Sequence, residues 1–382
     1  MTTIGEWENP LLMVPGPVPV APAVAAAAGA VPYHHADEFK NTFDEVRRVL
    51  AELLHCDGTV EIMPGGGRLG LESAIKSLLE PGDPVLVCST GAFGEWLVSI
   101  AERCGAEVVV ARWPPGRVVD DSAVAVNLAC GAPSGRHYRA VAVVHCETST
   151  GTVNALGGLG RLCREPDALL FVDAVSTVGV LPVDMASDGI DVCVTASQKG
   201  LGSLMGLSVV ALGPRALATM SARTSVPGTF ALDLRRWRND PGAPTSTYPV
   251  VPSPSLVLAL RQALRALEGG GLAEAHHRHT VAATTVRAAF HGAGLEVFGD
   301  SLSCGLTAIE LPAGISAREV QRRVLKRHGI WVATGMGPLA ERLVRLSHMG
   351  IQAERQRVEV AVRAIVEECR DLGMAPRSRV GV

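Results

Sequence analysis

Val192-Cys193-Val194-Thr195-Ala196-Ser197-Gln198-Lys199-Gly200 sets an apolar, largely β-branched run just before a lysine. A short run of this kind, closed by polar residues and glycine, reads as a buried strand, and the lysine then stands past its end. The chain has 31 arginines and only four lysines. Arginine would serve as well for charge, but its guanidinium stays protonated and cannot condense with an aldehyde, whereas a desolvated lysine amine can. Lys199 is therefore a candidate Schiff-base residue, with a solvated surface lysine as the alternative.

Upstream, residues 168–172 (Ala-Leu-Leu-Phe-Val) read as a second buried strand, ending in Asp173. Open α/β sheets bind ligands at this edge. A carboxylate and an amine on successive strand ends suit pyridoxal 5'-phosphate, one for the pyridinium nitrogen and one for the aldehyde. Taken alone, Asp173 could equally cap the next turn. Further apolar runs at residues 60–63, 84–88, 107–110, 140–144 and 207–211 join 168–172 and 191–195, mostly across helix-length segments. Seven such strands predict an α/β fold with a mostly parallel sheet covered on both faces. Only a short loop separates the last two, so one of them is expected to run antiparallel. A helix is predicted at 38–54. The composition turns to loop formers at Asn239-Asp240-Pro241-Gly242-Ala243-Pro244, before a helix at 255–268 that Gly269-Gly270-Gly271 breaks. Amphipathic helices at 273–291, 317–328 and 354–370 then alternate with short strands such as 307–311. The expected organisation is a large cofactor-binding domain over residues 1–254, including the Pro-rich N-terminal segment, and a smaller α+β domain over 255–382.

Composition narrows the function classes. With 382 residues, 47% hydrophobic and 19% charged, the chain can bury a sizeable core, and disorder is excluded. A net charge of −3 gives no electrostatic case for nucleic acid. No stretch approaches the length of a membrane span and no basic-then-apolar leader opens the chain, so a cytoplasmic location is expected. Nine scattered cysteines without a CxxC pair suggest neither a disulfide framework nor a zinc site. His276-His277-Arg278-His279 lies on a polar helix without carboxylate or cysteine partners and reads as a solvated face; no metal is expected.

Gly65-Gly66-Gly67-Arg68-Leu69-Gly70 formally matches the dinucleotide pattern GxGxxG. The next strand, however, ends Val87-Cys88-Ser89-Thr90, with no acidic residue for a ribose. What survives is a glycine turn opening a helix, which favours a single phosphate, with Arg68 as a bidentate donor. A tight turn without a ligand is the alternative.

Six ordered stretches together resemble the class V aminotransferases of the fold-type I pyridoxal phosphate enzymes, most closely the alanine/serine–glyoxylate and serine–pyruvate branch. They are Leu12-Met13-Val14-Pro15-Gly16-Pro17, the glycine turn before Leu71-Glu72-Ser73-Ala74, Gly91-Ala92-Phe93-Gly94-Glu95, His145-Cys146-Glu147-Thr148-Ser149-Thr150-Gly151, the Asp173 strand with Ser197-Gln198-Lys199-Gly200, and Val344-Arg345-Leu346-Ser347-His348-Met349-Gly350. The resemblance implies that Lys199 carries the cofactor and Asp173 holds its ring nitrogen. It puts Phe93 at the stacking position, Thr148 near the phenolic oxygen, and Gly66, Gly67, Arg68 and Gln198 on the phosphate. Arg345 falls on the position that grips the substrate carboxylate, with Gly16 also on a substrate-binding position. It further implies a homodimer with shared active sites, Tyr248 reaching the partner's phosphate. The chain departs from the family at Val251, where a threonine is usual, at Leu204-Met205, where Pro-Pro is common, and at Ala36, after His34-His35. The resulting expectation is transfer of an amino group from alanine or serine to glyoxylate or pyruvate. The alternatives are an aminophosphonate transaminase, a lyase acting at the β-carbon, and a cofactor-fold binding protein without turnover.

Overall fold

The computed structural model describes residues 10–237, 248–268 and 271–374. The loop-forming run 239–244 and residues 269 and 270 of the glycine break lie outside the described residues. The larger sheet has seven strands: β1 (Thr59–Pro64), β2 (Pro84–Ser89), β3 (Glu107–Arg112), β4 (Ala140–Val144), β5 (Leu169–Asp173), β6 (Val192–Ala196) and β7 (Leu207–Leu212), in the spatial order β1-β7-β6-β5-β4-β2-β3. Every strand is parallel to the others except β7, which is antiparallel to both neighbours. The physical reason is length. Ten residues separate Ala196 from Leu207, too few for the dozen or more that a parallel crossover needs. Strands β2, β4, β5, β6 and β7 are buried along their whole length, which is why they read as continuous apolar runs rather than alternating ones.

Three helices, Gly271–Ala293, Ala317–His328 and Arg355–Asp371, pack with a four-stranded antiparallel sheet: β8 (Glu296–Val297), β9 (Leu306–Glu310), β10 (Ala333–Thr334) and β11 (Leu343–Ser347), in the order β8-β9-β11-β10. Val344 and Leu346 enter the core formed with these helices, alongside Val286, Phe290, Val320 and Ile365. The two-residue alternation of a strand then puts Arg345 on the opposite face. The helix Pro254–Leu264, expected to open the smaller domain, packs against Asp37–Leu53 and adds Val257, Leu260 and Leu264 to the core of the large sheet. Conversely, Leu11–Leu12 pairs in parallel with Ile330–Trp331, and Met13 is buried in the smaller core. No helix among the described residues is long and apolar enough to cross a membrane.

Candidate active site

Because β1, β2, β4, β5 and β6 run the same way, their C-terminal ends deliver separate segments to one edge: the 65–67 turn, the helix Ala92–Arg103, the 146–149 turn, Asp173, and Gln198-Lys199. They enclose a cavity of about 550 Å³. Of the sequence-derived residues, Gly16, Gly66, Gly67, Arg68, Phe93, Thr148, Asp173, Gln198 and Lys199 all line it.

The N-terminal strap closes over Lys199. Its amine donates to the Pro15 carbonyl. Gly16 has φ of 102°, a conformation that favours glycine, and a Cβ there would crowd the end of the Lys199 side chain, 2.6 Å from Cε. The N–H of Gly16 is given to the Val14 carbonyl at 2.8 Å, so Gly16 offers the cavity backbone surface rather than a free donor. Burial lowers the Lys199 amine from 10.5 to about 8, opposed by the thiol of Cys146 and by Asp173. Burial raises the Asp173 carboxyl to about 6, although its Oδ1 accepts the Val175 N–H at 3.0 Å. A positive ring nitrogen would reverse that shift, since an opposite charge favours the carboxylate.

Gly66 caps the helix Gly67–Leu78, and no side chain takes the N–H groups that open it. A Cβ on Gly67 would fall 2.3 Å from Val175 Cγ2, so the close approach of these two segments needs glycine. The Gln198 amide nitrogen stands 3.7 Å from the point a Cβ on Gly66 would occupy, and its Oε1 is buried without a partner. The Arg68 guanidinium lies 3.8 Å from the centroid of the Trp96 ring, which fixes its plane beside the helix start. An anion seat, an amine and a carboxylate in one cavity fit pyridoxal phosphate.

Arg345 does not line the cavity but meets a residue that does. It is 8% exposed, with Nε donating to the Thr334 carbonyl at 2.7 Å and Nη1 to the Thr148 carbonyl at 2.5 Å. Its cross-strand neighbours are Ala308 and Ala333, whose small side chains leave room for a guanidinium. Burial lowers its pKa to about 10, which leaves it charged at neutrality. Tyr248 stands apart from this chain's own cavity, its hydroxyl donating to the His34 carbonyl at 2.7 Å and its ring against Phe43. His348 is buried within the smaller domain, between Thr307 and the Cys304 carbonyl, and faces neither site nor solvent. Of the expected solvated face at 276–279, only His277 and Arg278 are exposed; His276 is half-buried, with Nε2 enclosed. His279 is 1% exposed; it donates to the Ala275 carbonyl and accepts the Gly350 N–H at 2.9 Å, a distant partner that local pattern cannot announce.

Three functional features escaped the sequence reading: the Pro15 carbonyl, Trp96 beneath Arg68, and Glu147. The last carried a visible signal, a lone acid three residues past the apolar run 140–144.

The family model described as aminotransferase class-V matches residues 23–360. The chain is 31% identical to the soluble hydrogenase 42 kDa subunit of Anabaena cylindrica, over 90% of this chain and 89% of that protein. It is 30% identical to the alanine–glyoxylate aminotransferase of Oryctolagus cuniculus, over 94% of this chain and 93% of that protein. The crystal structure of ureidoglycine–glyoxylate aminotransferase from Bacillus subtilis superposes with a TM-score of 0.90 at 28% identity, covering 97% of this chain and 95% of that one.

Proposed function

The chain belongs to the class V aminotransferases, enzymes that work with pyridoxal phosphate, and from that premise we propose that it moves the amino group of alanine or serine to glyoxylate or pyruvate. The observation that carries this reading is the pairing of Lys199 and Asp173 at adjacent strand ends, in one cavity with an uncapped glycine-opened helix. The activities named for the relatives favour a glyoxylate-type acceptor over the phosphonate and β-carbon lyase alternatives.

When bound, pyridoxal phosphate supplies an aldehyde that condenses with amines and a ring that draws electron density from the substrate Cα. Lys199 would hold the cofactor's aldehyde carbon, and an amine whose pKa lies near 8 suits moving the proton at the substrate Cα. Asp173 would keep the ring nitrogen protonated. Phe93 would stack on the ring, and the Thr148 hydroxyl would donate to its phenolic oxygen. The N–H groups of Gly66 and Gly67, with Arg68 and Gln198, would hold the phosphate. Arg345, with Nε and Nη1 given to the Thr334 and Thr148 carbonyls, would offer Nη2 and its positive charge to the substrate carboxylate. Retention of Lys199, Asp173 and Arg345 together argues against a binder without turnover.

The proposed assembly is a homodimer in which Tyr248 serves the partner's phosphate. Its support is that Tyr248 lies away from this chain's cavity while Val250 and Val251 beside it are exposed. A cytoplasmic location is supported by nine unpaired cysteines. An amino-donor panel tests the function. Protein loaded with pyridoxal phosphate should be yellow, lose that absorbance with L-alanine or L-serine, and regain it with glyoxylate as glycine forms. Bleaching by 2-aminoethylphosphonate alone would overturn the carboxylate reading, and ammonia release without an acceptor would point to the lyase.

A further inference from the structure

Glu147 has no part in the chemistry above, yet it is buried with no exposed surface. Its Oε2 accepts the N–H groups of Phe93 at 3.0 Å and Gly94 at 3.1 Å, at the start of the helix Ala92–Arg103. Its Oε1 accepts the Ser149 N–H at 3.1 Å and the Ser149 hydroxyl. All four partners are donors, a set that suits a carboxylate at a helix N-terminus. The approach depends on Gly91, where a Cβ would stand 2.6 Å from Glu147 Cγ and 2.8 Å from Ser149 Oγ. Between Glu147 and Ser149 sits Thr148, whose carbonyl accepts from Arg345.

We propose that Glu147 is a positioning residue for the transamination: its carboxylate fastens the 147–149 turn to the start of the 92–103 helix, setting both the Phe93 ring over the cofactor and the Thr148 carbonyl against Arg345. The proposal rests on the cofactor reading above. A ring platform and a carboxylate-binding arginine from different domains thereby share one anchor, the kind of supporting contact that holds reacting groups in register. Burial dominates the shifts of both neighbours, and the Glu147 charge adds to the rise of Asp173 and offsets part of the fall of Arg345; burial also raises the Glu147 carboxyl itself, against the donors from Ser149, Gly94 and Phe93 that favour its charged form. Glu147→Gln removes the charge and turns one acceptor into a donor facing donors, whereas Glu147→Asp keeps the charge and loses reach.

The test uses the full chain loaded with pyridoxal phosphate. Glu147→Gln should weaken cofactor affinity about tenfold, in line with hydrogen bonds to a charged group, and Ser149→Ala about threefold. In Glu147→Gln the visible circular dichroism of the bound cofactor should shrink, and KM for alanine should rise more than kcat falls. In a Phe93→Ala background the affinity effect of Glu147→Gln should largely vanish while the KM effect persists. Glu147→Asp should recover part of both. A Glu147→Gln protein that loses only melting temperature, with affinity, dichroism and KM unchanged, overturns the proposal. So does an undiminished affinity loss in the Phe93→Ala background. If Glu147→Gln fails to fold, Ser149→Ala decides: unchanged affinity and KM overturn it. Wild-type protein that takes up no pyridoxal phosphate would instead sink the reading of the preceding section, while wild type that binds normally beside an unaltered Glu147→Gln sinks this one alone.

Discussion

At the edge of the seven-stranded sheet, Asp173 and Lys199 leave adjacent buried strands and are fixed by backbone geometry, whereas in the four-stranded sheet Arg345 sits mid-strand and leans across to the Thr148 carbonyl. The cofactor side is assembled from strand ends and glycines. The proposed substrate side hangs on one guanidinium held by carbonyls from two domains. Damage to the first should therefore abolish chemistry, and damage to the second should mostly alter substrate binding.

Lys199→Ala should cost the most, lowering turnover about 10⁴-fold through loss of the proton carrier, with pre-steady-state absorbance as the measurement. Arg345→Lys, which keeps charge but not the fork, should lower kcat/KM for alanine about 100-fold, chiefly through KM. An equal loss in kcat would erase the distinction between the two regions. The pH dependence sharpens the cofactor side. Uptake of pyridoxal phosphate by the apo protein needs the unprotonated amine, so its rate should climb about tenfold from about pH 7 to about pH 9 and then level off, following a lysine lowered to about 8. A rate still climbing steeply towards pH 10.5 would mean that burial has not shifted the amine. Trp96→Ala should have the smallest effect, two- to fivefold in cofactor affinity, because an exposed cation–π contact contributes only about 0.5–1 kcal/mol.

What could be read from the sequence follows the same line. Seven apolar runs, their edge polar residues and the glycine turn are local patterns, and they led to the α/β sheet, an antiparallel strand among the last two, and the cavity. The unread parts depend on pairs far apart in the chain. Glu147 meets residues 93 and 94 across more than fifty positions, Pro15 meets Lys199 across 184, and His279 meets Gly350 across 71. No periodicity encodes such meetings. Helix Pro254–Leu264 illustrates the point for packing, since its amphipathic pattern says that it needs a partner and not which core supplies one.

The strap at the N-terminus also limits travel. Leu12 is paired with Trp331 of the smaller domain, the Met13 carbonyl takes the Ser347 N–H, and five residues on from Met13, Val18 donates to the Gln198 carbonyl beside the lysine. Five residues fully drawn out span at most about 18 Å. The smaller domain is on a leash whose other end is tied at the reacting centre, so any swing that carried Arg345 away to release product would have to pay out slack at Pro15 and Gly16. Opening the site and uncovering Lys199 would then be one movement.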